Sequence, residues 1–287
     1  MTGVASAQRP LLLVIGTGFR GYREYLLASI SAGYRVHLLL GTEPSWELDY
    51  LTSHAVLSHM DETKDATEMI DAARQLAVRE RLDGVLAWDE ARVLQAAKVA
   101  AALGLPGGDL DAAMRCRDKH LTREALAAAG VPQARSVLVA TLDEALAAAR
   151  QIGYPVVLKP RAMAASLGAV LAAEPGELTA QFAFAHDTTI PGAWRYDAGV
   201  LVEEYLTGPE ISVDSAVHAG RVFPMFVAHK EVGYPPYFEE VGHVVDARDR
   251  LLADPALLEV LQATHAGLGF TDGMTHAEFK LTPDGPK

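Results

Sequence analysis

Two lysines stand where an anion could meet them. Lys159 ends the apolar run of Tyr154-Pro-Val-Val-Leu-Lys159-Pro160, and Lys119 lies within Arg115-Cys-Arg-Asp-Lys119-His-Leu-Thr-Arg123. Further on come an acidic run, Val202-Glu203-Glu204-Tyr205-Leu206-Thr-Gly208-Pro-Glu210, and an alternating one, His276-Ala-Glu278-Phe-Lys280. A nucleoside-triphosphate site needs ammonium groups for phosphates, hydrogen-bond partners for base and ribose, and a carboxylate for magnesium. This series offers them in that order.

Each residue also has a plainer reading. At the end of an apolar strand, Lys159 can lay its stem along a low-dielectric wall and turn its ammonium to a cleft. Lys119, on a helix, reads by itself as surface decoration. The small-residue loop from Pro160 through Ser166 to Gly168 lets backbone N–H groups and the Ser166 hydroxyl approach phosphate oxygens, but with one glycine it is a weak cradle. Glu203 and Glu204 are a doubled acid of the kind found at solvated strand ends. Together with Tyr205 and Leu206 they also offer a donor and an acceptor at the spacing of an adenine edge, and Glu210 could accept both ribose hydroxyls. Alternation places His276, Glu278 and Lys280 on one strand face. That face is either simply wet or holds magnesium through Glu278. Lys230 and His243 flank the aromatic segment 234–238. The ten histidines form no zinc spacing.

The elements that must position these residues follow from periodicity. Residues 1–113 alternate apolar runs (11–15, 35–40, 84–88) with helical periods (22–32, 63–81, 90–103), the pattern of a parallel sheet with helical crossovers. A helix at 110–129 leads to a strand at 131–139. A helix at 142–152 opens on Thr141 with Glu144 in capping-box spacing, and strands follow at 155–159 and 169–172. After Gly199 the chain is mostly strand, at 200–205, 211–218, 222–229 and 275–281, with one helix at 255–268. Segments 182–198 and 231–243 read as long loops near a site. The expected division is 1–113, 114–194 and 195–287.

Composition limits the function. The net charge of −12, from 25 basic and 37 acidic residues, argues against a nucleic-acid partner. The single cysteine, Cys116, excludes an internal disulfide and a multi-thiolate metal site. No apolar run is long enough to cross a bilayer, so no membrane partner and a cytoplasmic location are expected. One motif points elsewhere. Gly16-Thr-Gly18-Phe-Arg-Gly21 has the dinucleotide spacing between a predicted strand and helix, so an NAD(P)-dependent dehydrogenase is an alternative. The acid expected after the second strand is displaced to Glu43, which favours a tight turn without a dinucleotide. Trp88-Asp89-Glu90 either points at a substrate crevice or caps a helix.

Taken in order, these segments resemble the ATP-grasp superfamily, and within it the carboxylate–amine ligases of the L-amino-acid (dipeptide) ligase type. The resemblance implies a mixed α/β and α+β fold: a Rossmann-like N-terminal domain, a small central domain and an antiparallel C-terminal sheet domain, with ATP clamped between the last two. It implies an ATP- and Mg²⁺-dependent ligation through an acyl phosphate, with small carboxylate and amine substrates, expected to be amino acids. A homodimer is compatible with it, as is a non-catalytic ATP-binding protein. By position, Lys119, Lys159 and Lys230 look like ATP ligands, Ser166 the phosphate lid, Glu203 to Leu206 the adenine hinge, and Glu210 the ribose acid. Glu278 looks like the first magnesium carboxylate, and His243 and His276 like candidate bases for the amine. Two departures stand out. Met163 and Ala164 occupy lid positions where many relatives have glycine. The family's second magnesium glutamate and the arginine for a substrate carboxylate would lie beyond Lys287, which leaves the metal half held by Glu278.

Overall fold

The computed structural model describes residues 9–60, 66–189 and 199–287. They belong to two compact units, Met1–Leu110 and Asp111–Lys287. The first unit contains β1 (Leu11–Ile15), α1 (Arg20–Gly33), β2 (Arg35–Leu40), β3 (Ser53–Val56), α2 (Thr67–Arg79), β4 (Gly84–Ala87) and α3 (Val93–Leu103). Its four strands are parallel, in the order β3-β2-β1-β4. β1 and β2 are apolar almost throughout because both sheet faces are covered. Leu11, Leu13 and Ile15 pack with Met69, Ala73, Leu76 and Val99, while Val14 packs with Leu27, Val36 and Leu38 on the other side.

The glycine turn after β1 is held by its own unit. Gly16 N–H donates to the Leu39 carbonyl (2.8 Å) and the Trp88 indole donates to the Gly16 carbonyl (3.1 Å). The carboxylate brought to this turn is the buried Glu47, which accepts from the Thr17 hydroxyl and from Ser45 N–H. Glu43 is exposed beside His54. Asp89 pairs with Arg92 at 2.9 Å and makes no side-chain cap.

The second unit opens with α4 (Leu110–Arg117) and α5 (Lys119–Ala128). A sheet then forms from β5 (Ser136–Val139), α6 (Leu142–Ile152), β6 (Val156–Pro160), β7 (Val170–Ala172), α7 (Pro175–Asp187) and β8 (Val200–Glu204), with strand order β5-β8-β6-β7 and all pairs antiparallel. One face, with Val156, Leu158, Val200 and Val202, forms a core with Ala145, Ala149 and Ile152 of α6 and Leu178 and Ala185 of α7. The last part contains β9 (Glu210–His218), β10 (Arg221–Gly233), β11 (Glu239–Asp246), α8 (Pro255–Leu268), β12 (Gly273–Thr282) and β13 (Gly285–Pro286), in an antiparallel sheet of order β11-β10-β9-β12-β13. Ile211, Val213, Val227 and Phe279 of its inner face pack on Leu257 and Leu261 of α8.

Several expectations need correction. The helix predicted over 110–129 breaks at Asp118, whose backbone is extended and whose carboxylate caps the next helix by accepting from His120 N–H. The strand predicted over 131–139 is confined to Ser136–Val139, and Val131 instead closes the end of α5, its N–H donating to the Leu126 carbonyl at 2.9 Å. Residues 182–187, read as loop, are the last turns of α7, and 190–198 lie outside the described residues. Most of 231–243 is strand, and only 234–238 is loop. The helix at 142–152 forms with both halves of its capping box.

Candidate nucleotide site

Strand register decides which face each lysine and glutamate takes. β6 and β8 pair Val157 with Glu203 and Lys159 with Leu201, so Lys159 and Glu203 share the face opposite the α6–α7 core. There Lys159 Nζ lies 2.5 Å from Glu203 Oε2. Arg123 reaches the same carboxylate from α5, with Nε donating to Oε1 (2.7 Å) and Nη2 to Oε2 (3.1 Å). Glu203 is 2% exposed. Burial pushes its carboxyl up, but the Lys159 charge and then that of Arg123 outweigh it and hold it well below the ordinary range. Glu203, expected at an adenine hinge, therefore has both oxygens engaged by cations.

Lys119 is set by a second acid–guanidinium pair. The buried Asp118 carboxylate takes Arg161 in a fork, 2.8 and 2.6 Å, and Lys119 N–H donates to the Arg161 carbonyl at 3.1 Å. The Lys119 ammonium donates to the Met163 carbonyl at the base of the loop between β6 and β7. At the tip of that loop Ala165 and Ser166 both take left-handed backbone, φ 53° and 55°. This conformation costs energy in a residue with a Cβ and recurs at ligand clamps. Ser166 is exposed.

The segment from β8 to β9 is pinned at Gly208. Its φ is +125°, and a Cβ there would lie 2.2 Å from the Leu281 carbonyl oxygen. Leu281 N–H in turn donates to the Pro209 carbonyl (2.9 Å). Before this point Glu204 pairs with Arg135 at 3.4 Å, the Tyr205 ring sits 6.2 Å from that of Phe238, and Leu206 is half-buried. The 234–238 loop is tied to β7, since Leu171 N–H donates to the Pro236 carbonyl at 2.8 Å.

In the last sheet, Glu210 of β9 lies beside Lys230 of β10 and Lys280 of β12, Ser212 beside Ala228 and Glu278, and Asp214 beside His276. These side chains share the face opposite α8. Lys280 Nζ is 2.9 Å from Glu210. Lys230, with only 8% of its side chain exposed, bonds Glu278 and lies 3.2 Å from Glu240 and 3.9 Å from Glu210. His276 Nδ1 meets Asp214 at 2.7 Å, with Nε2 3.8 Å from Glu278. The nearby Glu278 carboxylate, and then Asp214 on its other side, raise His276 above its usual range. His276, and then the Lys230 ammonium, hold Glu278 far below the carboxylate range. His243 Nδ1 bonds Glu240 at 2.7 Å.

Arg123, Asp118, Arg161, Asp214, Glu240 and Ser212 join the site without having been assigned a role in it. Opposite charges at facing strand positions, as in Glu210 with Lys280 and Asp214 with His276, are the signal that could have found some of them.

Magnesium fits this face as a partner shared with phosphate oxygens. Among the described residues, no group of three His, Cys, Asp or Glu side chains is placed to enclose a metal. The ion ordinarily takes one or two carboxylates plus phosphates, however, and Glu278 is ionised and exposed. The Ser212 hydroxyl, opposite Glu278 in the register, is buried and has no hydrogen-bond partner among the described residues.

A parallel α/β amino-terminal unit followed by two antiparallel sheets is the architecture of the ATP-grasp fold, and residues 152–286 match the ATP-grasp domain family. The chain is similar to the alanine–anticapsin ligase of Bacillus amyloliquefaciens, 29% identical over 245 residues, covering 78% of this chain and 50% of that protein. It also resembles the D-alanine–D-alanine ligase of Pseudomonas entomophila, 31% identical over 124 residues, covering 42% of this chain and 36% of that protein. The chain thus spans about half the length, or less, of these curated relatives. Among solved structures, the L-amino acid ligase of Bacillus licheniformis superposes with a TM-score of 0.76 at 22% identity, covering 97% of this chain and 65% of that one. The ADP complex of an N5-carboxyaminoimidazole ribonucleotide synthetase gives 0.72 at 19% identity, covering 97% and 68%.

Proposed function

We propose that this protein binds Mg-ATP on the second unit and joins a carboxylate to an amine, with amino acids as the substrates. The observation that carries the reading is the charge plan. Two lysines are preset by buried acid–guanidinium pairs, and the other sheet carries Lys230, Lys280, Glu210 and an ionised Glu278 on one face. The alanine- and amino-acid-ligase relatives support it.

In this reading Lys119, Lys159 and Lys230 neutralise phosphate oxygens, Ser166 and the backbone of its loop close over them, and Glu210 takes the ribose hydroxyls. With Glu203 committed to Arg123 and Lys159, the base is read by the backbone of Glu204, Tyr205 and Leu206. Glu278 would hold magnesium together with phosphate oxygens, and the ion would supply positive charge that offsets the phosphate charge in the transfer. A substrate carboxylate oxygen attacks the γ-phosphorus and ADP leaves. The amine then attacks the acyl carbon, phosphate leaves with the bonding pair, and the amine gives up a proton. His243 can accept it at Nε2 because Nδ1 is committed to Glu240. His276, raised by its two carboxylates, serves better as a cation beside Glu278. No cysteine or serine nucleophile is needed, since positioning and charge do the work.

The test is ADP release screened over pairs of amino acids, with the product identified by mass. A product heavier than the two substrates combined less one water, or ADP release independent of any amino acid, contradicts the reading.

A further inference from the structure

Lys159, Glu203 and Arg123 form a trio, and only the first two of its members are accounted for by a nucleotide site. Lys159 has a ligand to serve and Glu203 holds it, but Arg123, 80 residues earlier in the chain, has no role toward ATP in the reading above. Its guanidinium takes one oxygen of Glu203 through Nε and shares the other with Lys159 through Nη2. Both cations keep about a quarter of their side chains in solvent, 26% and 23%, while Glu203 keeps 3%.

We infer that Arg123 is a positioning residue for phosphate binding: by engaging both oxygens of Glu203, it leaves Lys159 with a positive charge to direct at the ligand. The arithmetic of charge is simple. Arg123 and Lys159 against one ionised Glu203 leave the trio at a net single positive charge, whereas Lys159 and Glu203 alone would cancel. A lysine that must pull phosphates toward a strand end gains nothing from a carboxylate at 2.5 Å unless a second cation offsets that carboxylate. The anchor is fixed in place, because α5 starts at the Asp118 cap, itself clamped by Arg161. The inference rests on the ATP reading, so its test includes a measurement that needs no nucleotide.

The experiment compares the full chain with Arg123→Met, Arg123→Lys, Arg123→Met/Glu203→Gln and Arg123→Met/Lys159→Met, with thermal unfolding to confirm that each is folded. Mg-ATP affinity is measured by calorimetry. Arg123→Met should weaken binding about tenfold or more, since it lets an unopposed carboxylate tie up Lys159. Arg123→Lys keeps the charge but loses the fork, so a loss of about threefold is expected. Adding Glu203→Gln to Arg123→Met should restore most of the affinity, a rescue that a merely structural role would not produce. In a Lys159→Met background, Arg123→Met should cost little more. The nucleotide-free arm is the rate at which an amine-acylating reagent labels Lys159, read by mass spectrometry. Arg123→Met should slow it and Glu203→Gln in that background should restore it. An unchanged labelling rate, or a loss of affinity that Glu203→Gln leaves in place, overturns the inference. If the wild-type chain takes up no ATP at all, the ATP reading falls and the labelling rates alone decide the role of Arg123.

Discussion

Replacing Glu203 by Gln removes the one anion between two cations while keeping the side chain's size. Arg123 Nε and Nη2 and Lys159 Nζ, at 2.7, 3.1 and 2.5 Å, would then face an amide that can accept but not compensate. Removing one partner of a buried pair costs about 3–5 kcal/mol. Because water reaches roughly a quarter of each cation, the low end, about 3 kcal/mol, is expected here. For a unit the size of Asp111–Lys287 that corresponds to about 6–12 °C in Tm, at about 2–4 °C per kcal/mol. The pH dependence has a definite sign. The folded carboxyl lies below its unfolded value, so its contribution is fully present above the unfolded value of about 4.3 and is lost as pH falls toward the folded one. The gap between wild type and Glu203→Gln should be complete at pH 7 and narrow below about pH 4. Thermal unfolding across that range measures it. A gap under about 2 °C at neutral pH would refute the account of Glu203 as the counter-ion of both cations.

Lys159→Ala should weaken Mg-ATP binding by about 1.5–3 kcal/mol, the worth of a charge-assisted hydrogen bond, and calorimetry showing unchanged affinity would remove Lys159 from the phosphate site. Glu210→Ala should weaken ATP more than a ribose-lacking analogue, since deleting the ligand's half of a contact cancels the effect of deleting the protein's half; equal losses would reject the ribose role. Gly208→Ala must both strain a backbone at φ +125° and push a methyl toward the Leu281 carbonyl, so a loss of more than about 2 kcal/mol in urea unfolding is expected, and a neutral result would contradict the close approach.

Much of the second unit was legible because local signals agreed with the fold. Thr141 and Glu144 marked the start of α6, and apolar runs ending in Lys-Pro and Glu-Glu marked β6 and β8. Other elements hid for identifiable reasons. α7 carries Phe182, Phe184 and Ala185 on several sides and starts on a proline, so no polar face shows its period. β11 is exposed along nearly its whole length, so it shows no in–out alternation. The residue types of the proposed nucleotide site could be read along the chain, but their partners could not. Arg123 with Glu203, and Asp118 with Arg161, come from different elements, and a buried acid at a strand end reads like a solvated one until the helix over it is known. The glycine motif after β1 was legible as a turn, while the acid it receives, Glu47, lies in a short helical segment that nothing in the spacing singled out.

The most direct test of the central claim is calorimetric titration of the full chain with ATP, with and without Mg²⁺, beside NADH and NADPH. Saturable one-to-one ATP binding that tightens with Mg²⁺, and no heat from either dinucleotide, is the predicted result. Saturable dinucleotide binding with none for Mg-ATP would contradict the claim and return the glycine turn of the first unit to the centre of the function.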